Sequence, residues 1–67
     1  MFKVGNLLQK RRPWLATGHY RIAHDSCVMV LEISININAP DRAKILAPEG
    51  IFIVDLDWLI EHYKVAS

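Results

Sequence analysis

The chain has 67 residues, 52% of them hydrophobic and 22% charged, with a formal net charge of +1. That length makes one small domain over 1–67, with a marginal core that covers only about 60% of the unfolded surface. Cys27 is the one cysteine, which excludes an internal disulfide framework, and the longest wholly apolar runs, 27–31 and 51–54, are too short for a membrane-spanning helix.

Phe2-Lys3-Val4 alternates, Gly5-Asn6 offers a tight bend, and Leu7-Leu8 resumes, which predicts a short strand, a kink and a second extended piece. Gly5 suits the positive φ that such a bend requires. Lys10-Arg11-Arg12-Pro13 ends the strand, because Pro13 has no N–H for a ladder and pushes Arg12 toward extended geometry. Residues 14–18 read as a loop. Tyr20-Arg21-Ile22-Ala23 alternates again, and Asp25-Ser26 offers a turn into the next strand, so these two strands are expected to form an antiparallel hairpin.

The strand that follows, 28–37, organises the rest. Met29, Leu31, Ile33, Ile35 and Ile37 fall on every second position, with Glu32, Ser34 and Asn36 between them. Alternate side chains point to opposite faces, so the odd-numbered set is expected on the core. The run is rich in β-branched residues and free of Gly and Pro. Residues 36–41, with Asn38, Pro40 and Asp41, make a loop. Residues 42–47 form a short strand, and Pro48-Glu49-Gly50 a turn with the glycine at positive φ. Ile51-Phe52-Ile53-Val54 is apolar on both faces and is expected to be a strand covered on both sides. Leu56, Leu59, Ile60 and Tyr63 then switch to helical spacing. Asp55 suits the N-cap, Asp57 the first turn, and His62 and Lys64 the last turn, each with the sign the helix dipole favours. About two turns cannot stand alone, so the apolar stripe must pack on the sheet.

The sum is a mainly β domain of five short strands with a short C-terminal helix. Such a chain suits a small closed or half-open barrel, which removes sheet edges.

Charge is unevenly laid out. Residues 1–24 hold Lys3, Lys10, Arg11, Arg12 and Arg21 with no acid, whereas residues 25–67 hold three cations against seven acids. The split can steer an acidic partner to one side or neutralise itself across the folded surface. A lone cysteine suits a reducing compartment, and the start lacks a secretory h-region, so a cytoplasmic location is expected.

The opening Phe2-Lys3-Val4-Gly5-Asn6-Leu7-Leu8 resembles the F-K-V-G-D-x-V start of many SH3-like small barrels, including KOW-type domains and numerous tiny accessory proteins of tailed phages. Tyr20-Arg21-Ile22 and Phe52-Ile53-Val54-Asp55 match the later strands of that layout, while Asn6 stands where Asp is usual and the ending here is longer and more helical. The resemblance implies a single SH3-like domain in a (host) cytoplasm whose role is made of contacts, not chemistry. For a phage-type protein it implies a host enzyme or defence factor as the partner, inhibited or redirected by occupation of its surface.

Chemistry finds less support than binding. His19, His24 and Cys27, with distant His62, are the only candidate metal set, but a structural zinc site needs four ligands in close pairs, and turn or strand-edge roles account for all four. Cys27 or Ser26 beside His24 lacks an orienting third group, and so small a barrel leaves no room for an ordinary pocket. Asp55, Asp57 and Glu61 read as helix capping and a solvated face. No metal, cofactor or enzymatic activity is expected.

The stretch Lys10, Arg11, Arg12, Trp14, Tyr20 and Arg21 combines cations with ring faces, and Trp58 with His62 lies off the helix's core stripe. Trp, Tyr and Arg are the residue types that anchor protein interfaces. A non-enzymatic protein-binding module follows, with a homodimer as a variant. The alternative is an RNA- or DNA-binding module over 10–21, since cations neutralise phosphates and rings stack on bases. A net charge of +1 and a pI near 7.9 fall short of the basic balance usual for such binders.

Overall fold

The computed structural model describes residues 2–12 and 27–66. The expected loop 14–18, the expected strand 20–23 and its turn at 25–26 lie outside them. The described elements are β1 (Leu7–Lys10), β2 (Cys27–Ser34), β3 (Arg42–Ala47), β4 (Gly50–Asp55), α1 (Leu56–His62) and β5 (Tyr63–Val65). The five strands form one antiparallel sheet in the order β4-β3-β2-β1-β5. The chain is therefore mainly β with one short helix, as expected.

The first extended piece differs from the prediction. Residues 2–6 form a turn and not a strand: Asn6 N–H donates to the Lys3 carbonyl at 3.0 Å, and Lys3 N–H donates to Asn6 Oδ1 at 2.7 Å. Gly5 takes the positive φ of 91° that the bend requires. Asn6 thus closes its own turn, and Phe2 is carried back onto the core.

β2 carries the main correction. The strand ends at Ser34, and Ile35 and Ile37 project into solvent, Ile37 at 98% exposure. Its core face begins on the even positions: Val28 and Val30 are fully buried while Met29 is 39% exposed. The register against β3 then slips between Val30 and Glu32, a β-bulge at Leu31. One extra residue reverses the parity of the strand. Past the bulge, Ile33 faces the core opposite Ala43, and Glu32 and Ser34 face water opposite Lys44 and Arg42. The apolar run 28–31 suits either face, and the bulge lets the strand bury its valines without burying Glu32.

β3 falls where the sequence places it and buries Ala43, Ile45 and Ala47. The Pro48-Glu49 turn delivers the chain to Gly50 at φ 136°, a region costly for any residue with a Cβ. β4 is not covered on both faces as expected. It is an end strand of the sheet, with Phe52 and Val54 toward the core and Ile51 and Ile53 at 63% and 58% exposure.

α1 buries Leu56 and Leu59, and Ile60 is on the surface. Asp55 occupies the N-cap but makes no side-chain cap bond; its carboxylate pairs with Arg42 at 3.8 Å. Asp57 and His62 take the first and last turns as expected. Lys64 does not: the chain straightens at Tyr63 into β5, which pairs with β1.

This connection shapes the sheet. A flat sheet would hold β4 and β5, four strand spacings apart, at roughly 19 Å, whereas a seven-residue helix spans only about 10 Å. The sheet must coil for α1 to reach from one edge to the other. Its concave face gathers Leu8, Val28, Val30, Ile45, Val54, Leu56, Leu59 and Tyr63 into one core, with Ile33, Phe52 and Trp58 packed at its margin.

Candidate partner-binding surface

Two segments far apart in sequence meet where β1 ends and α1 stops. β1 leads into Arg11 and Arg12, both exposed. β5 pairs with β1 in a register that sets Tyr63 opposite Lys10, so the last turn of α1 lies against Arg11. Arg11 N–H donates to the His62 carbonyl at 2.9 Å, and its Nε–H donates to the carbonyls of Ile60 at 3.2 Å and Tyr63 at 3.1 Å. Helix C-termini leave carbonyls without intrahelical partners and carry partial negative charge. Arg11 answers both.

Trp58 and His62 are one turn apart on α1, and their rings lie 5.1 Å apart at 39°. The indole also sits 5.9 Å from the Tyr63 ring. Trp58 and His62 are both half-buried; Trp58 packs one side on the core margin, and each leaves part of its ring available to a partner. Arg11 thus seats on the end of the helix that carries Trp58 and His62, and Arg12 is the next residue along the chain. Lys10 does not join them: at 3% exposure it turns inward with Tyr63. Trp14, Tyr20 and Arg21 lie outside the described residues, as do His19, His24 and Ser26. Cys27 is an exposed free thiol on β2. Among the described residues no three His, Cys, Asp or Glu side chains come together in a way that could hold a metal ion.

Tyr63 brings a buried polar atom into the core. Its ring is fully buried, and its hydroxyl has no hydrogen-bond partner among the described residues. Burial, followed by the negative charge of Glu49 and then by Cys27, raises its pKa to about 12.

The convex face of the sheet holds a second feature that the sequence reading missed. Leu7, Met29, Leu46 and Ile51 stand directly opposite one another across β1, β2, β3 and β4. All four are exposed. Beside this apolar row lie two ion pairs, Lys44–Glu32 at 3.7 Å and Arg42–Asp55 at 3.8 Å. Glu32, Ser34, Arg42, Lys44 and Ile53 line a hollow of about 60 Å³, far below the roughly 300–1,000 Å³ of ordinary ligand sites. The row could have been suspected from 28–31 and 51–54, where both faces are apolar; a sheet with one core face must leave half of such residues outside. No helix among the described residues is long and apolar enough to cross a membrane.

No family model, curated protein or solved structure matches the chain.

Proposed function

We propose that this chain is a small protein-binding module that acts by stoichiometric occupation of a partner's surface. The observation that carries the reading is that Arg11 seats on the end of the helix that carries the Trp58–His62 ring pair, although some fifty residues separate them in sequence. An exposed arginine pair, and a half-buried tryptophan on the helix whose end Arg11 caps, supply the anchor types of a protein interface. Asp57 and Glu61 on the same helix give the surface both signs of charge, which favours a mixed protein surface over a phosphate backbone.

The fold we propose is a small SH3-like barrel. The single coiled antiparallel sheet, and a helix that links its two edge strands, support that reading. With the likeness of 2–8 to small phage accessory barrels, the proposal extends to a host enzyme or defence factor as partner, met in a reducing cytoplasm and inhibited or redirected.

The test is capture from lysate with the wild-type chain beside Arg12→Glu and Trp58→Ala, with Lys64→Glu as a charge-reversal control. A partner retained by the wild type and the control and lost with both variants supports the surface. Equal recovery by all four rejects it. Binding of single-stranded RNA or duplex DNA that falls steeply with added salt and is abolished by Arg12→Glu would replace the reading with a nucleic-acid interface.

A further inference from the structure

β4 is the end strand of the sheet, and no described strand pairs with its outer side. The phase of its ladder tells which groups point outward. The β3–β4 register sets Arg42 opposite Asp55, and the next step is Leu56 N–H donating to the Asp41 carbonyl at 2.9 Å. Bonded and non-bonded residues alternate along an antiparallel ladder, so Val54 and Phe52 direct their N–H and C=O groups to β3. Ile53 and Ile51 direct theirs away from the sheet. The side chains of the same two isoleucines are exposed on the convex face.

Edges of this kind are ordinarily guarded by lysine, proline, a bulge or an inward charge. Residues 50–54, Gly-Ile-Phe-Ile-Val, have no charge and no proline, and their register with β3 runs without a break. Among the described residues nothing guards this edge, and strand and side chains together offer a template.

We propose that a second copy of this chain pairs with β4 edge to edge, antiparallel, about a two-fold axis at Ile53. Directly opposed residues in an antiparallel pair must share a face. With Ile53 opposite the second copy's Ile53, Phe52 meets Val54 on the core side, and Ile51 meets Asp55 on the convex side. The two Ile53 residues exchange their outward N–H and C=O groups. No like charges face each other along the paired stretch, since the one charged residue, Asp55, sits at opposite ends in the two copies and is held by its own Arg42. On the convex face the Ile53 pair then stands between the apolar rows that end at Ile51 in each copy. Pairing along five residues is small beside the roughly 1,200–2,000 Å² of standard specific interfaces, so the dimer is concentration-dependent. This inference does not rest on the surface at Arg11 and Trp58, which lies elsewhere.

The experiment is analytical ultracentrifugation of the whole chain across a dilution series, with amide hydrogen exchange at high and low concentration. The wild type is expected to dimerise, with exchange at Ile53 slowed about tenfold or more on concentrating. Ile53→Pro removes an outward N–H without taking a bond from β3 and is expected to be a folded monomer. Ile53→Lys gives the same result through a convex-face charge, should the proline variant fail to fold. Met29→Lys, which charges the middle of the apolar row, is expected still to dimerise. A wild type that stays monomeric at every concentration overturns the proposal. So does a dimer that leaves the Ile53 amide unprotected, or one abolished by Met29→Lys and not by Ile53→Lys, which would mean that the sheets stack by their faces.

Discussion

Tyr63→Phe isolates a single oxygen atom. The phenol ring fills the core between β5 and α1, and the hydroxyl is buried without a partner among the described residues. Leaving such a group unsatisfied costs about 1–3 kcal/mol. Deleting it removes that cost and leaves a void of one atom, worth a few tenths of a kcal/mol at about 24 cal/mol per Å³. The variant is therefore expected to be more stable by about 1 kcal/mol near neutral pH, or some 4–8 °C in Tm for a domain of this size. The pH dependence tests the same cause from another side. The folded pKa of about 12 lies above the ordinary 10. Between these values the folded chain keeps the proton that the unfolded chain has lost, so stability falls as pH rises. The contribution is fully present below pH 10 and is lost through about pH 12, a change on the order of 2–3 kcal/mol. The difference between variant and wild type should widen by that amount across the window, which urea denaturation at several pH values measures. Ultraviolet titration of the phenolate follows the group directly. A variant less stable than wild type at neutral pH, or a Tyr63 that ionises near 10, would show that the hydroxyl is satisfied or wetted, and the reasoning would fail.

The bulge in β2 is tested by a pair of neighbours. Val30→Ser places a hydroxyl in the core and should cost about 2–4 kcal/mol, while Met29→Ser should stay within about 0.5 kcal/mol, the opposite of what the odd-position pattern predicts. Chemical denaturation of both decides it, and equal losses would remove the parity switch. Arg11→Ala takes the Nε–H from two carbonyls at the end of α1 and should cost about 1 kcal/mol, with faster amide exchange confined to residues 59–63; unchanged exchange there would show that the backbone contacts suffice without the side chain. Glu32→Gln breaks an exposed ion pair and should change stability by less than about 0.5 kcal/mol, which thermal melts at low and high salt would check.

What the residues alone determine is local. The alternation of Ala43, Ile45 and Ala47 with Arg42, Lys44 and Leu46 between Asp41 and Pro48 makes β3 a strand, and among the described residues Gly5 and Gly50 mark the places where the backbone turns to positive φ. The i, i+3 spacing of Leu56 and Leu59 makes α1 a helix and marks half of its expected stripe as buried, because side-chain periodicity acts within a few residues, whereas Ile60 of the same stripe is exposed and Tyr63 belongs to β5. Tertiary structure decided whatever depends on a neighbour. Val28 and Leu31 are equally apolar, so only pairing with β3, and the bulge it requires, selects the even positions first and Ile33 afterwards. Ile51 and Ile53 are as hydrophobic as Val54, and the position of β4 at the end of the sheet leaves them outside. β5 has three residues, too few for a period, and exists because β1 offers it an edge. The seating of Arg11 on the carbonyls of Ile60, His62 and Tyr63 follows from that same pairing: local periodicity carries no information about which strand will close against which, and burial of a shared core supplies it.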